Sequence, residues 1–565
     1  MRLAQNSLKT LKLIFKTELE YDFESAEYLN LLHESNLATY TTYARNVLLL
    51  KPTSIEDLVF ILKVVKKQNN ENRQNNVNVK HHINVVSSMK NYGYGCADPL
   101  LDGAILIYLK NMKIANELPV YQPVWLGNYG KELGIVKVGP GVTQQSLFEF
   151  LSSEGSNYAM DATGSSIEAS ILSNTIQRGF GHTKAGNHFE HVVGMDILKM
   201  DGELVKLGHA AFETSGNSGA HKNGVGPVLY GLFSQSNFAI VTSLTIQLIP
   251  SSKFVIPFFI KLKNDSDFSE AAIRLRALKK NRTLESQMHC VNDMKSIQAS
   301  MQFPVKDNDG FGYLKDNVIQ SVSRYNGYEK WTVSGAIYAD TFLEVLDKVL
   351  KLRRGLLGIP TKKIFLSKSM VSFISWIVNS VLIKSLFRDF CVLMNKQIIV
   401  IGELINLKKG KPTNYFLKSA YWRMRNTDGN NTNSDLRMDG VGLIWLAPIA
   451  ALTKENVLKL IKITYEGQRL FSFEPAISMT LLDESAIDCV VSIVFDKNIE
   501  EESARALECH DYLLGKYIEA GFIPYRLSSR AMDQELNVSS EYKKLLKELR
   551  LAMDPDEIFL PAKLF

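Results

Sequence analysis

Cysteine is scarce in this chain. Five occur in 565 residues, at positions 96, 290, 391, 489 and 509, an odd number at wide spacing. That excludes a disulfide framework and points to a reducing compartment, so a cytoplasmic location is expected. Long apolar runs are lacking too. The most apolar run, SMVSFISWIVNSVLI from Ser369 to Ile383, carries Ser and Asn and falls short of the roughly 20 residues a membrane span needs. It reads as a buried or lid helix. The opening MRLAQNSLKTLKLIFK spaces Lys and Leu as a helix does, and no apolar core followed by small residues marks a secretory signal. A helix docked on the protein is expected there, rather than one lying on a membrane surface. An excess of one charge is also missing: 65 basic against 59 acidic residues give +6. No dense Lys/Arg patch exists to bind a phosphate backbone, so nucleic acid is excluded as a partner. Neither a Walker A sequence nor a G-x-G-x-x-G between strand and helix occurs, which leaves P-loop and Rossmann folds unsupported.

What is present is an ordinary globular composition, 45% hydrophobic and 22% charged, in a chain long enough for two or three domains. LLLKPTSIEDLVFILKVVKKQ opens as strand then helix. Ser54 and Asp57 form a capping box, and Leu58, Ile61, Leu62 and Val65 share one apolar face. The Asn-rich NNENRQNNVNVKHH that follows reads as a surface insertion. HHINVVSS, AILIYL and VKVGPGV are strand-like, and QSLFEFLSSEG reads as a helix closed by Gly155. Near Pro250 the pattern changes to long helices alternating with strands such as WTVSGAIYA and GLIWLAPIA. That predicts a separate domain on an antiparallel sheet, and an α+β fold overall.

One stretch carries the densest chemistry: NTIQRGFGHTKAGNHFEH, residues 174–191, with glycines at 179, 181 and 186 and histidines at 182, 188 and 191. The histidine spacing suits no common zinc set, and no nearby cysteine completes one, so no metal is expected. Glycines so placed let a backbone approach a ligand and aim N–H groups at it. Alone, that reading is weak.

The wider sequence DATGSSIEASILSNTIQRGFGHTKAGNHFEHVVGMDILKMDGELVKL resembles the flavin-domain signature of the vanillyl-alcohol oxidase and 4-cresol methylhydroxylase flavoproteins. VVSSMKNYGYG is similar to that family's pyrophosphate loop. YGLFSQSNFAIVTSLTIQLIP is similar to the end of its first flavin segment, and GFIPYRLSSRAMDQ with DPDEIFLPAKLF to its C-terminal return. The resemblance runs in order from about residue 45 to the end. It implies a two-subdomain FAD-binding PCMH-type domain with a separate antiparallel-sheet cap. The implied boundaries are an N-terminal helical extension over 1–45, the FAD-binding domain over 46–250, the cap over 251–510 and the return segment over 511–565.

The resemblance further implies an FAD-dependent oxidase or dehydrogenase and, as assembly, a homodimer. Cofactor contacts would fall on Lys90, Asn91, Tyr92, Gly93 and Gly95 in the pyrophosphate loop, and on Pro140 and Gly141 in the turn VGPGVT. Thr163, Gly164, Ser170, Asn174, Gly179, Gly181, His182, Gly186 and His188 would contribute from the signature, with Ile240 and Lys563 beyond it. His182 is either a flavin or substrate contact or a capped loop histidine. Lys563, in PAK, would sit near flavin N1, where a cation favours the reduced ring. Tyr94, Tyr525 and Arg526 match the set that grips a phenolic oxygen in the family's phenol-oxidising branch. The substrate implied is a small aromatic molecule, a para-substituted phenol or aromatic alcohol, with oxygen or a protein as electron acceptor. A non-phenolic substrate in secondary metabolism is the alternative. Members that bind FAD covalently use a His or Tyr where this chain has Leu443, so FAD without a covalent bond is expected; Cys96 is the one other candidate for attachment. Asp161 is either a catalytic base or a turn cap.

Overall fold

The computed structural model describes Leu11 and residues 47–559, except 96, 99–100, 102, 115–117, 120–122, 127–128, 213–217, 305–311, 381–387, 426–434 and 534–535. The rest of the N-terminal extension, Cys96 and Lys563 lie outside the described residues. A small parallel sheet comes first, with Ala104–Tyr108 between Val47–Leu50 and Ile83–Val86. The helix Ile55–Gln74 follows the first strand. Its capping box is formed: Ser54 Oγ accepts from Asp57 N at 3.1 Å, and Asp57 Oδ2 accepts from Ser54 N at 3.1 Å. Leu58, Ile61, Leu62 and Val65 are buried against the sheet, with Leu11 in the same apolar cluster.

That helix continues through NNENRQ, where a surface insertion is expected from composition. Asn69 and Asn72 are used rather than solvated. Asn69 exchanges two hydrogen bonds with the His81 backbone, at 2.8 and 2.9 Å, and Asn72 Nδ2 donates to Val79 O at 3.0 Å. Side-chain amides thus satisfy the backbone that leads into the next strand. At the other end of the chain, Ile83 N donates to Ile558 O at 2.9 Å, and Ile83 pairs with Phe559 in a parallel bridge. The C-terminal segment therefore returns to the first sheet.

A second sheet is antiparallel, ordered Leu204–Gly208, Val192–Leu198, Ile240–Gln247, Ile135–Val138 and Val124–Trp125. The helix Gln144–Ser153 packs on it. Thr143 caps the helix start, and Gly155 lies just past its end with φ +58°.

The largest sheet holds eight strands. Seven run in the order Thr361–Phe365, Phe254–Leu262, Trp331–Ala339, Met288–Asn292, Ile477–Leu481, Ala486–Asp496 and Val441–Leu446; Ile449–Ala451 also pairs with Ala486–Asp496. All its pairings are antiparallel. Helices Asp265–Lys280, Lys454–Leu470 and Glu500–Glu519 contribute apolar residues to the same core as the sheet. Mixed helices and antiparallel sheets make the fold α+β, as the sequence pattern predicts.

The apolar run at 369–383 reads in sequence as a buried helix or a lid helix, and the first of these does not hold. Its described part is a helix, Lys368–Val378, with Phe373 60% and Trp376 71% exposed. It is not a buried helix. Its composition matches a core segment, but no described element packs over those two side chains. Among the described residues, no helix is long and apolar enough to cross a membrane.

Candidate active site

The loop after strand Ile83–Val86 bends sharply. Met89 has φ +54°, Gly93 +85° and Gly95 +65°. Trp445 reaches over this bend from the large sheet: its N–H donates to Gly93 O at 3.0 Å, and its ring meets Tyr94 edge-on at 5.6 Å. Lys90, expected at the cofactor, forms ion pairs instead, with Asp435 at 2.9 Å and Glu168 at 3.3 Å. Burial would raise the Asp435 carboxyl, but Arg437 and Lys90 hold it down at about 2. Tyr92 is buried in an apolar cluster with Leu443.

The glycine-rich stretch folds around Asp161. Its Oδ1 accepts from Thr183 N at 2.9 Å, its Oδ2 accepts from Gly186 N at 2.7 Å, and His188 Nε2 lies 3.5 Å away. A carboxylate so occupied shapes the loop, which favours the turn-capping reading of Asp161. A Cβ on Gly181 would overlap Asp161, and one on Gly179 would overlap the Asn174 amide. His188 Nδ1 pairs with Asn174 Oδ1 at 2.7 Å. Ser170 Oγ donates to Pro140 O at 2.7 Å and Ser170 N to Ser88 Oγ at 3.1 Å, which ties the turn at 140–141 to both loops. Thr163 N donates to Gln144 Oε1 at 2.8 Å, and Gly164 lies against His182. Ile240 is buried at the start of its strand, in the cluster beneath the first sheet. The structure thus brings the expected cofactor loops together, apart from Lys563.

Tyr94, Tyr525 and Arg526 also converge, across more than 400 residues of sequence. The Arg526 guanidinium lies 4.4 Å from the centre of the Tyr94 ring, and Ser529 N donates to Tyr94 O at 2.9 Å. Tyr525 packs edge-on against Phe180 at 5.1 Å, which joins the grip to the glycine-rich stretch. Tyr525 N donates to Ala447 O at 3.1 Å, and Gln235 Nε2 donates to Tyr525 O at 3.1 Å. Burial raises the Tyr94 hydroxyl well above the ordinary tyrosine value. Tyr525 and Asp488 push it further up, and Arg526 opposes them. Tyr94 therefore stays protonated and can donate.

Sequence reasoning passed over a further group. Ser334, His289, Thr480, Asp488 and Ile449 are paired in register across five strands of the large sheet. Directly paired residues share a face, so four polar side chains line one row. Thr480 Oγ1 lies 3.1 Å from His289 Nδ1, and the His289 ring stacks on His182 at 3.8 Å. Burial lowers both imidazoles well below the ordinary histidine value, so both are neutral. This row roofs the glycine-rich stretch. One signal was available: Asp488 is the one charged residue in AIDCVVSIVF.

The lining fits a polar cofactor. Asn91 Nδ2, Ser165 Oγ, His182 Nδ1 and His289 Nε2 are buried with no hydrogen-bond partner among the described residues, a costly condition unless something else meets them. Residues 47–208 match the family profile described as FAD binding domain. Over 478 residues the chain is 27% identical to 1'-carboxy-chondrochloren decarboxylase of Chondromyces crocatus, covering 85% of each. Over 479 residues it is 21% identical to the 4-cresol dehydrogenase [hydroxylating] flavoprotein subunit of Pseudomonas putida, covering 85% of this chain and 82% of that one. The fold matches 4-ethylphenol oxidase from Gulosibacter chungangensis, solved with isoeugenol, at TM-score 0.78 and 19% identity; the match covers 95% of this chain and 92% of the other. The protein is an FAD-dependent oxidoreductase. It is similar to the vanillyl-alcohol oxidase and 4-cresol methylhydroxylase flavoproteins and has the FAD-binding PCMH-type fold.

Proposed function

We propose that this flavoprotein oxidises a para-substituted phenol or a related aromatic alcohol, gripping the phenolic oxygen with Tyr94, Tyr525 and Arg526. The observation that carries the reading is the meeting of two tyrosines and a buried guanidinium from opposite ends of the chain, against the glycine-rich stretch. A phenol in water has a pKa of about 10, and one unit corresponds to about 1.36 kcal/mol. Each hydrogen bond to an ionised group contributes about 1.5–3 kcal/mol. Three donors can therefore hold a phenolate at neutral pH, even after the cost of burying it. Tyr94 suits that role because it keeps its proton. Phenolate charge at the para carbon loosens the benzylic C–H bond. FAD, when bound, supplies the acceptor for the hydride whose loss leaves a quinone methide.

Asn91, Ser165 and His182 would hold the cofactor. Leu443, buried in the strand Val441–Leu446, offers no nucleophilic atom for a covalent link, so FAD is held without one. Acid precipitation should leave the yellow colour in the supernatant. Electrons would then pass to oxygen or to a protein acceptor.

Anaerobic titration tests the reading. A para-alkylphenol should bleach the flavin band, and Tyr525→Phe or Arg526→Ala should slow bleaching far more than it lowers FAD content. The relative named as a decarboxylase, at 27% identity, favours a second reading with a different substrate in secondary metabolism. Bleaching by other alcohols and by no phenol would select it.

A further inference from the structure

The helix Lys368–Val378 is apolar on two faces. One face is covered: Val378 is buried, and Val371 and Ile374 are half-buried. The other is not. Met370, Phe373, Trp376 and Ile377 recur at the spacing of a single helical face and are 37–71% exposed, with the Phe373 and Trp376 rings stacked at 6.1 Å. The helix is fixed in that posture. Ser367 Oγ accepts from Met370 N at 3.2 Å at its start, and Leu366 N donates to Pro257 O of the large sheet at 3.0 Å just before it. The helix Arg388–Lys408 lies against it, joined where Asn379 Nδ2 donates to Asn395 Oδ1 at 3.2 Å. This second helix is tied down in turn, since Gln397 Nε2 donates to Asn326 O at 2.9 Å. On it Arg388, Val392, Lys396 and Ile399 are exposed at spacings of four, four and three, again one face. A helix apolar all round needs cover on every side, and contiguous exposed apolar surface marks a place of interaction.

Charge decides what supplies the cover. The chain as a whole is nearly balanced, 65 basic residues to 59 acidic. With 381–387 left out, the stretch from Lys362 to Lys396 holds five basic residues, Lys362, Lys363, Lys368, Arg388 and Lys396, and one acid, Asp389. Lys362 is paired with Glu329 at 3.0 Å, which leaves Arg388 and Lys396 as the exposed cations of the second helix, set among Val392 and Ile399. Aromatic and aliphatic side chains bordered by cations fit the boundary of an anionic bilayer, where rings enter the acyl region and Lys and Arg meet the headgroups. A second copy of this chain fits less well, because a twofold contact would set the same cations against each other. At 11 residues the helix is too short to cross a bilayer, so it would lie along the surface.

We propose that the protein docks on an anionic membrane surface through the paired helices Lys368–Val378 and Arg388–Lys408, with Phe373 and Trp376 inserted among the lipid chains and Arg388 and Lys396 on the headgroup phosphates. This stands apart from the phenol reading and needs none of the residues at the flavin site.

Of the five tryptophans only Trp376 is exposed, which makes it the reporter. The holoenzyme is mixed with vesicles of phosphatidylglycerol and phosphatidylcholine in equal parts, with or without brominated acyl chains that quench an inserted indole, and bound protein is measured by sedimentation. Native protein should sediment with these vesicles, far less with pure phosphatidylcholine, and less as salt rises. Its fluorescence should be quenched by the brominated chains. Trp376→Phe should still sediment but lose that quenching. Phe373→Ser combined with Trp376→Ser should abolish sedimentation. Arg388→Gln combined with Lys396→Gln should weaken it roughly 25-fold, about fivefold for each cation. Every variant should keep the native flavin absorbance, since the replaced side chains are on the surface. Native protein that does not sediment with the anionic vesicles, or that sediments without quenching, overturns the proposal. Undiminished binding by the Phe373 and Trp376 double variant also overturns it, by placing the contact elsewhere on the chain. So does a dimer, seen by light scattering, that this double variant splits while vesicle binding is unchanged, because the face then belongs to a second copy.

Discussion

Replacing Gly93 by alanine tests whether the pyrophosphate loop and the proposed phenol grip are mechanically joined. Gly93 sits at φ +85°, where an L side chain is strained, at about 1–2 kcal/mol. A Cβ there would also lie 2.7 Å from Trp445 Cδ2 and 2.9 Å from Cγ. Carbon atoms rest at about 3.5–4.0 Å, so the indole must retreat by roughly 0.8 Å or more. It cannot do so freely, because Trp445 N is bonded to Gly93 O and Trp445 is paired with Ser492 in the large sheet. Overpacking of this kind costs about 1–3 kcal/mol, giving about 2–5 kcal/mol in all. Since the same ring packs on Tyr94, the displacement reaches the grip, where misplacement by about 1 Å can cost 10²-fold in rate. Gly155→Ala is the control. It shares a positive φ, +58°, but a Cβ there has nothing within 4 Å, so only the backbone cost of about 1 kcal/mol applies. Denaturant midpoints and anaerobic flavin reduction should be measured for both. Gly155→Ala should lose little stability and no reduction rate; Gly93→Ala should lose more of the first and roughly ten- to hundredfold of the second. Equal stability losses with equal reduction rates would refute the coupling through Trp445.

Two other perturbations probe buried charge. Glu474 accepts from Arg423 Nη2 at 2.9 Å, from Trp422 Nε1 at 3.2 Å and from Leu314 N at 3.3 Å, all buried. Glu474→Ala should lower the denaturation free energy by about 3 kcal/mol, the low end for a broken buried pair, because Glu502 remains 3.7 Å from Arg423; a loss within experimental error would contradict this. Lys408 is fully buried, with Nζ donating to Gln287 O at 2.7 Å, and burial drops its ammonium to about 7. Between that value and the unfolded value of about 10.4, the unfolded chain binds more protons, so this residue's contribution to stability should rise with pH across that window. Lys408→Met should flatten the rise, as seen in denaturation midpoints at pH 7 and pH 9.

Much of the fold could be read from local pattern. Ser54 with Asp57 and the spacing of Leu58, Ile61, Leu62 and Val65 define the first helix, because a cap and an apolar stripe are decided within a few residues. The start of the Asn tract was misread for the opposite reason: the amides of Asn69 and Asn72 bond to His81 and Val79, partners that composition does not reveal. The buried reading of the run containing Phe373 and Trp376 failed because hydropathy reports how apolar a segment is, not whether another element covers it. Of the candidate site, Tyr94, Tyr525 and Arg526 were legible through resemblance, since each stands in a recognisable block. Lys90 was legible as a loop residue, but its ion pairs with Asp435 and Glu168 were not.

The polar row shows why the roof stayed hidden. Ser334, His289, Thr480 and Asp488 come from four strands, and none lies next to another in sequence. Each alone is a polar residue within a strand, the ordinary sign of an alternating pattern. Only the register makes them neighbours, and a slip of one residue would turn a strand's member toward the opposite face. That face is the apolar core containing Ile487, Cys489, Met479 and Cys290. Burying a carboxylate among those side chains would cost several kcal/mol. The same apolar packing that fixes the sheet register therefore fixes Asp488 on the site's side. A carboxylate held there with an unused oxygen is retained at a cost to stability, which is the expected mark of a group kept for chemistry.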